Sequence, residues 1–89
     1  MTPSLARRAR LKRDEARGAW VLLYPEGVVT LNESAAAVLR LVDGARDLDG
    51  VVDALAREHP DADPEEVRRD ARELLDRLAA RGFVAWSAP

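Results

Sequence analysis

The chain has 89 residues, of which 47% are hydrophobic and 34% charged, with a formal net charge of -2 and no cysteine. This balance is typical of one small folded domain, and the missing cysteine excludes disulfides, thiolate catalysis and thiolate-bound metals. No apolar run approaches the ~18–20 residues of a membrane-spanning helix, and no hydrophobic segment typical of a secretory signal follows the basic N-terminus, so we expect a cytoplasmic protein.

Charge is distributed unevenly along the chain. Residues 1–20 carry six bases and two acids, whereas residues 21–89 carry eight bases and fourteen acids. A basic N-terminal segment can attract acidic partners over a distance, an effect that salt weakens. The same charges are equally consistent with a solvated segment that binds nothing, and both interpretations stay open.

The first third of the chain predicts a small sheet. Residues 1–8 show no pattern and predict a flexible N-terminal tail, whereas alternation over residues 9–14 predicts a first strand. Residues 20–24 form a continuous apolar run, typical of a strand covered on both faces. A proline and a glycine directly after this run favour a tight turn, and residues 28–31 then complete a hairpin. The sequence therefore predicts a three-stranded antiparallel sheet.

Three helices are expected to follow, each with a capping residue at its start and a breaking residue near its end. The helices are predicted to begin after Asn32, Asp47 and Asp63 and to end at residues 43–44, 59–60 and 82. Residues 83–86 either add a short strand or only cover the core. The order β-β-β-α-α-α predicts an α+β, winged-helix-like domain over residues 9–86, in which a three-stranded N-terminal sheet precedes three helices.

Side chains that could carry catalysis are sparse. His59 is the single histidine, and its place beside a proline at the end of a predicted helix favours a packing role. The glycines are isolated, so no phosphate-binding loop is predicted. A calcium loop beginning at Asp61 would need glycine at its sixth position and glutamate at its twelfth, where the chain has Glu66 and Arg72. We therefore expect no enzyme, no metal site and no bound cofactor.

The hairpin strand at residues 28–31 is the candidate binding element. It is the last strand before the chain becomes helical, so it is expected at a sheet edge, where it could accept a strand from another peptide. A groove beside it would have the third helix as its wall. The apolar stripe of that helix could supply this wall or be used wholly in the core: Val67, Ala71, Leu74, Leu75 and Leu78.

The alternative function is that of a winged-helix DNA-binding regulator, because three helices with a small sheet resemble that fold. DNA binding depends on neutralising phosphates with Lys and Arg. The predicted recognition helix has five acids and five bases over residues 65–81, so it offers phosphates no net attraction. The charge pattern therefore favours peptide binding over nucleic-acid binding.

Five segments, in order and in a chain of this size, carry a resemblance to a known family. They are WVLLYPEG at 20–27, LNESA at 31–35, LRLVDG at 39–44, DARELL at 70–75 and RG at 81–82. Together they resemble the PqqD family, the small peptide chaperones of pyrroloquinoline quinone (PQQ) biosynthesis, over roughly residues 9–86. His59 departs from the aromatic residue expected at the end of the second helix.

The resemblance implies a protein that binds the precursor peptide PqqA and presents it to the radical S-adenosylmethionine enzyme PqqE, which cross-links Glu and Tyr side chains of the peptide. It implies no cofactor in the chaperone itself, since the quinone, cluster and S-adenosylmethionine belong to its partners. The peptide would add to the third strand and pack against the third helix. Carried over, this nominates Val28, Val29, Thr30 and Leu31 on the strand and Arg72, Leu75 and Ala79 on the helix. Whether the protein is a monomer or a homodimer stays open.

Overall fold

The computed structural model describes residues 1–88, which form five strands and three helices. The strands are β1 (Thr2–Leu5), β2 (Arg10–Asp14), β3 (Ala19–Tyr24), β4 (Gly27–Thr30) and β5 (Val84–Ser87). The helices are α1 (Glu33–Leu39), α2 (Leu48–Glu58) and α3 (Pro64–Ala80). The predicted α+β class is confirmed, with the three expected strands and three expected helices in the expected order. β5 is the short strand that was one of two expectations for residues 83–86, and β1 is additional.

The three-stranded sheet has the order β2-β3-β4, and both of its strand pairs are antiparallel. The register places Leu22 of β3 between Leu11 of β2 and Val29 of β4, on the face that joins the core. Val21 lies on the opposite face and is nevertheless only 2% exposed, while Leu22 is 0% exposed. Leu23 on that opposite face is only half-buried, so the cover that the continuous apolar run predicted on both faces is complete on the core side alone.

The expected flexible tail at residues 1–8 is corrected, because β1 pairs antiparallel with β5 at the other end of the chain. Ala6 N–H donates to the Phe83 carbonyl at 2.9 Å. Since hydrogen-bonded pairs alternate along an antiparallel ladder, Pro3 falls at a position whose nitrogen faces outward and needs no acceptor. The Pro3 side chain is fully buried. No local sequence pattern predicts β1, since its partner strand β5 lies some eighty residues away in the chain.

The predicted helix starts are confirmed by their caps. The carboxylate or amide oxygens of Asn32, Asp47 and Asp63 accept backbone N–H groups of the first turn at 2.7, 2.8 and 3.0 Å. At the end of α3, Gly82 has φ +80°, and Phe83 N–H donates to the Leu78 carbonyl at 2.9 Å. This is the Schellman arrangement that glycine favours, and it turns the chain directly into β5.

The core lies between the helices and the inner face of the three-stranded sheet. Its most buried members come from β3, α1, α2 and α3: Leu22, Leu39, Val51 and Leu75. α1 packs against β3, and α3 packs against both α2 and β5. Among the helices of residues 1–88, none combines the length and apolarity that crossing a bilayer would require.

Candidate functional site

β4 is an edge strand whose free backbone groups can be assigned. Leu31 N–H donates to the Trp20 carbonyl at 2.9 Å, so these opposite residues form a hydrogen-bonded pair. Because such pairs alternate with non-hydrogen-bonded pairs, Val29 also directs its N–H and C=O toward β3. Val28 and Thr30 therefore direct theirs away from the sheet. The free edge of β4 offers two donors and two acceptors to an incoming strand.

The side chains of the nominated strand residues divide between the two faces of the sheet. Val29 is half-buried against the core, and Leu31 is only 9% exposed within it. Val28 is 39% exposed on the outer face, next to Thr30, whose Oγ1 accepts from Arg17 Nη1 at 3.4 Å. The structure brings Val28, Val29 and Thr30 to the edge. It places Leu31 in the core, with its N–H already bonded to β3.

The opposite edge of the same sheet, on β2, has a different character. Four of the five residues of β2 are charged, whereas β4 has no charged residue. Charged side chains on an edge strand discourage pairing with another chain, since pairing would bring them against the incoming strand and remove water from them. β2 is therefore a guarded edge, and β4 is an unguarded one.

The three nominated helix residues lie on two sides of α3, one turned to β5 and one turned to the core. The Arg72 guanidinium lies 5.1 Å from the centre of the Trp86 ring, and its Nε donates to Asp76 Oδ2 at 3.1 Å. The Trp86 indole N–H donates to the same carboxylate at 3.1 Å, so this side of α3 covers β5. Ala79, two turns after Arg72, lies on that side, and Leu75 is 0% exposed in the core. Which part of α3 forms the wall of a peptide groove stays a prediction.

A different face of α3 borders an apolar hollow of about 170 Å³. The hollow lies between α1, the end of α2 and the first half of α3. Its lining residues are Ser34, Ala37 and Val38 of α1, Leu55 and His59, Ala62, and Val67, Asp70, Ala71 and Leu74 of α3. In the part of the chain that the structure describes, no group of three His, Cys, Asp or Glu side chains could hold a metal ion. The hollow suits an apolar side chain with a polar group near its opening.

The sequence contained a signal for this face. The apolar stripe of the third helix includes Val67, Ala71 and Leu74, which line the hollow. The spacing of apolar residues thus pointed to these three residues, which are not among those that the family resemblance nominated. Ala37 is the other signal. Its small side chain leaves space between α1 and α3 that a larger residue would fill.

Contacts around the β3–β4 turn fix α3 relative to β4. The Tyr24 and Phe83 rings lie 4.8 Å apart at 55°, which joins the end of β3 to the segment after α3. Arg8 bridges the same place, since its Nη1 lies 2.9 Å from Glu26 Oε1 and its Nη2 donates to the Arg81 carbonyl at 3.2 Å. One end of β4 thus lies near the end of α3, while the other end leads into α1 and the hollow.

A model of the protein family described as coenzyme PQQ synthesis protein D (PqqD) matches residues 19–84. The chain belongs to the PqqD family. A "PqqA binding protein" of Rhodopseudomonas palustris (strain TIE-1) is 48% identical over 82 residues, which cover 92% of this chain and 79% of that protein. The family resemblance inferred from the sequence is confirmed.

Solved structures agree with this PqqD-family assignment. The solution structure of the PqqD portion of Methylobacterium extorquens PqqCD, described as a functional and stand-alone recognition element for ribosomally made, modified peptides, has 37% identity and a TM-score of 0.79, covering 94% of this chain and 88% of that one. A lasso peptide synthetase B1 complexed with its leader peptide has 27% identity and a TM-score of 0.74, covering 97% and 100%.

Proposed function

We propose that this protein is a non-catalytic peptide chaperone that binds a segment of a ribosomal precursor peptide of the PqqA type as an additional strand on β4. The observation that carries the proposal is the uncharged free edge of β4, with the backbone groups of Val28 and Thr30 directed outward. Its relatives support it, since one is named for binding PqqA and another was solved with a leader peptide.

Backbone pairing alone would not give useful affinity. Four hydrogen bonds at a net ~0.5–1.5 kcal/mol each contribute about 2–6 kcal/mol. Micromolar binding requires a net binding free energy of about 8 kcal/mol. The contacts must in addition offset the entropy that the peptide loses when it becomes ordered. Burying one apolar side chain contributes about 1.5–3 kcal/mol. The proposal therefore needs peptide side chains on the inner side of the new strand, and the hollow bordered by Ala37 and Leu74 is where we place one of them.

The proposal includes delivery of the bound peptide to a radical S-adenosylmethionine enzyme of the PqqE type. A ribosomal precursor is made in the cytoplasm, so the encounter is placed there. A protein bound to a peptide in this way needs no second copy of itself, although the free edge of β4 could pair with one in the absence of peptide.

A titration of the ¹⁵N-labelled protein with the PqqA peptide tests the proposal. We expect saturable shifts of the Val28 and Thr30 amides, accompanied by shifts of residues that line the hollow. A peptide of the same composition in scrambled order is the control. Absence of saturable shifts would contradict peptide binding, and shifts confined to β2 or β1 would contradict the site.

A further inference from the structure

The outer face of the three-stranded sheet is a second surface with unused binding capacity. The register aligns Arg10, Leu23 and Val28 in one row across this face. In the next row, Lys12 aligns with Val21 and Thr30. Leu23 is half-buried and Val28 is 39% exposed, and neither belongs to the core cluster. The helices of residues 1–88 that contact this sheet pack on its other face, where the core lies.

The charge on this face is positive. Arg10 and Lys12 are exposed, and neither forms a salt bridge within residues 1–88. The nearby acids already have basic partners: Asp14 is paired with Arg17 at 3.5 Å and Glu15 with Arg13 at 3.7 Å. A shallow depression over Val21 and Leu23 is lined also by Lys12, Arg13, Asp14 and Glu15, and its two acids are the ones already paired. The face therefore has Leu23 and Val28 as its accessible apolar residues and two uncompensated positive charges along its β2 side.

A peptide strand on β4 would extend this face, an argument that rests on the proposed function. Alternate side chains of an added strand point to opposite faces of the sheet. Those on the inner side would be enclosed with Val29, and those on the outer side would stand beside Val28 and Thr30. The outer face is thus where the protein and the bound peptide would be exposed together. A partner that distinguishes the loaded chaperone from the empty one can contact both there.

We infer that the outer face of β2, β3 and β4, together with the outward side chains of the bound peptide, is the docking surface for the enzyme that receives the peptide. The chemistry of the face specifies the partner patch, which is apolar at its centre and acidic opposite Arg10 and Lys12. Attraction between such patches accelerates association and weakens as salt is added. The partner binds the loaded chaperone more tightly than the empty one.

The test compares two double charge reversals in the full chain. Arg10→Glu with Lys12→Glu alters the outer face but leaves the β4 edge and the hollow intact. Arg57→Glu with Arg69→Glu makes the same charge change at exposed positions of α2 and α3. For each variant, calorimetry gives the Kd for the PqqA peptide, and surface plasmon resonance gives the Kd of the peptide-saturated protein for the PqqE-type enzyme.

We expect the outer-face pair to weaken enzyme binding by at least about tenfold and to leave the peptide Kd within about twofold. The control pair should change neither value by more than about twofold. Unchanged enzyme affinity in the outer-face variant, or equal loss in the control, would overturn the docking surface. A change in dimerisation without a change in enzyme affinity, measured by sedimentation, would assign the face to a second copy and would also overturn it. Failure of the wild-type protein to bind peptide would instead overturn the proposed function.

Discussion

The two edge strands of the three-stranded sheet, β2 and β4, differ in how readily they can pair with an incoming strand. β2 has four charged residues among five, and β4 has none among four. Both edges expose alternate backbone groups, because each strand has a neighbour on one side only. Charge thus discourages pairing at the β2 edge and is missing from the β4 edge. Of the two edges, β4 therefore opposes an incoming strand less than β2 does.

Prolines placed on the two edges give the largest expected contrast. Val28→Pro removes an outward N–H and puts a ring against the incoming strand, so we expect at least about 30-fold weaker peptide binding, the loss of four bonds worth ~0.5 kcal/mol each. Arg13→Pro removes an outward N–H of β2 and should leave the peptide Kd within about twofold. Calorimetric titration of both folded variants decides this. Equal weakening in both would contradict the special role of β4.

Val29→Pro tests whether the backbone groups of β4 alternate between β3 and the free edge as assigned. Its N–H points toward β3, so this substitution leaves an acceptor of the sheet unpaired and should lower the free energy of unfolding by about 1–3 kcal/mol. Val28→Pro, one residue away, should lower it by much less. Urea denaturation followed by circular dichroism measures both variants. A larger loss of stability at position 28 than at 29 would mean that the assigned pairing is shifted by one residue.

Filling the hollow should weaken binding without damaging the edge. Ala37→Leu places a larger side chain in the space between α1 and α3, and excluding one apolar peptide side chain corresponds to about tenfold weaker binding. Ala80→Leu makes the same change at an exposed position of α3 and should have no effect. Peptide titration of both variants is the measurement. Unchanged affinity in Ala37→Leu would remove the hollow from the site.

Removing the basic residues of β2 should allow that edge to pair with a strand of another copy of the protein. Replacing Arg10, Lys12 and Arg13 with threonine leaves Asp14 as the single charged residue of β2, and we expect self-association that grows with protein concentration. Sedimentation velocity over a concentration series detects it. The same replacement at three helix positions, Arg57, Arg69 and Arg77, keeps the net charge equal and should leave the protein unchanged. A triple β2 variant that sediments like the wild type would show that charge is not what guards this edge.

The smallest effect is expected on the side of α3 that covers β5. Arg72→Ala removes the contact with Trp86 and an exposed ion pair with Asp76, which together stabilise the fold by at most about 2 kcal/mol. The peptide Kd should stay within about twofold, because this side faces away from the hollow. Thermal unfolding and peptide titration measure the two quantities. A clear loss of affinity would return Arg72 to the peptide site.

Much of the fold could be predicted because its signals are local. The caps at Asn32, Asp47 and Asp63, the proline and glycine between β3 and β4 and the glycine after α3 each act within a few residues. β1 was missed because it has no alternation and its partner lies at the far end of the chain. The hollow was only partly foreseen, since the apolar stripe of α3 indicates a buried face but not which neighbour covers each part of it.

The amino-acid sequence by itself determined that a strand without charged residues follows the turn at Pro25 and that a helix follows this strand at once, because turns, caps and charges are properties of neighbouring residues. The tertiary structure alone decided that Val28 and Thr30, and not Val29, offer their backbone to a guest, because this depends on the pairing of β4 with β3. It also decided that Leu74 borders the hollow while Arg72 covers β5. The rotation of a helix about its axis is set by everything packed around it.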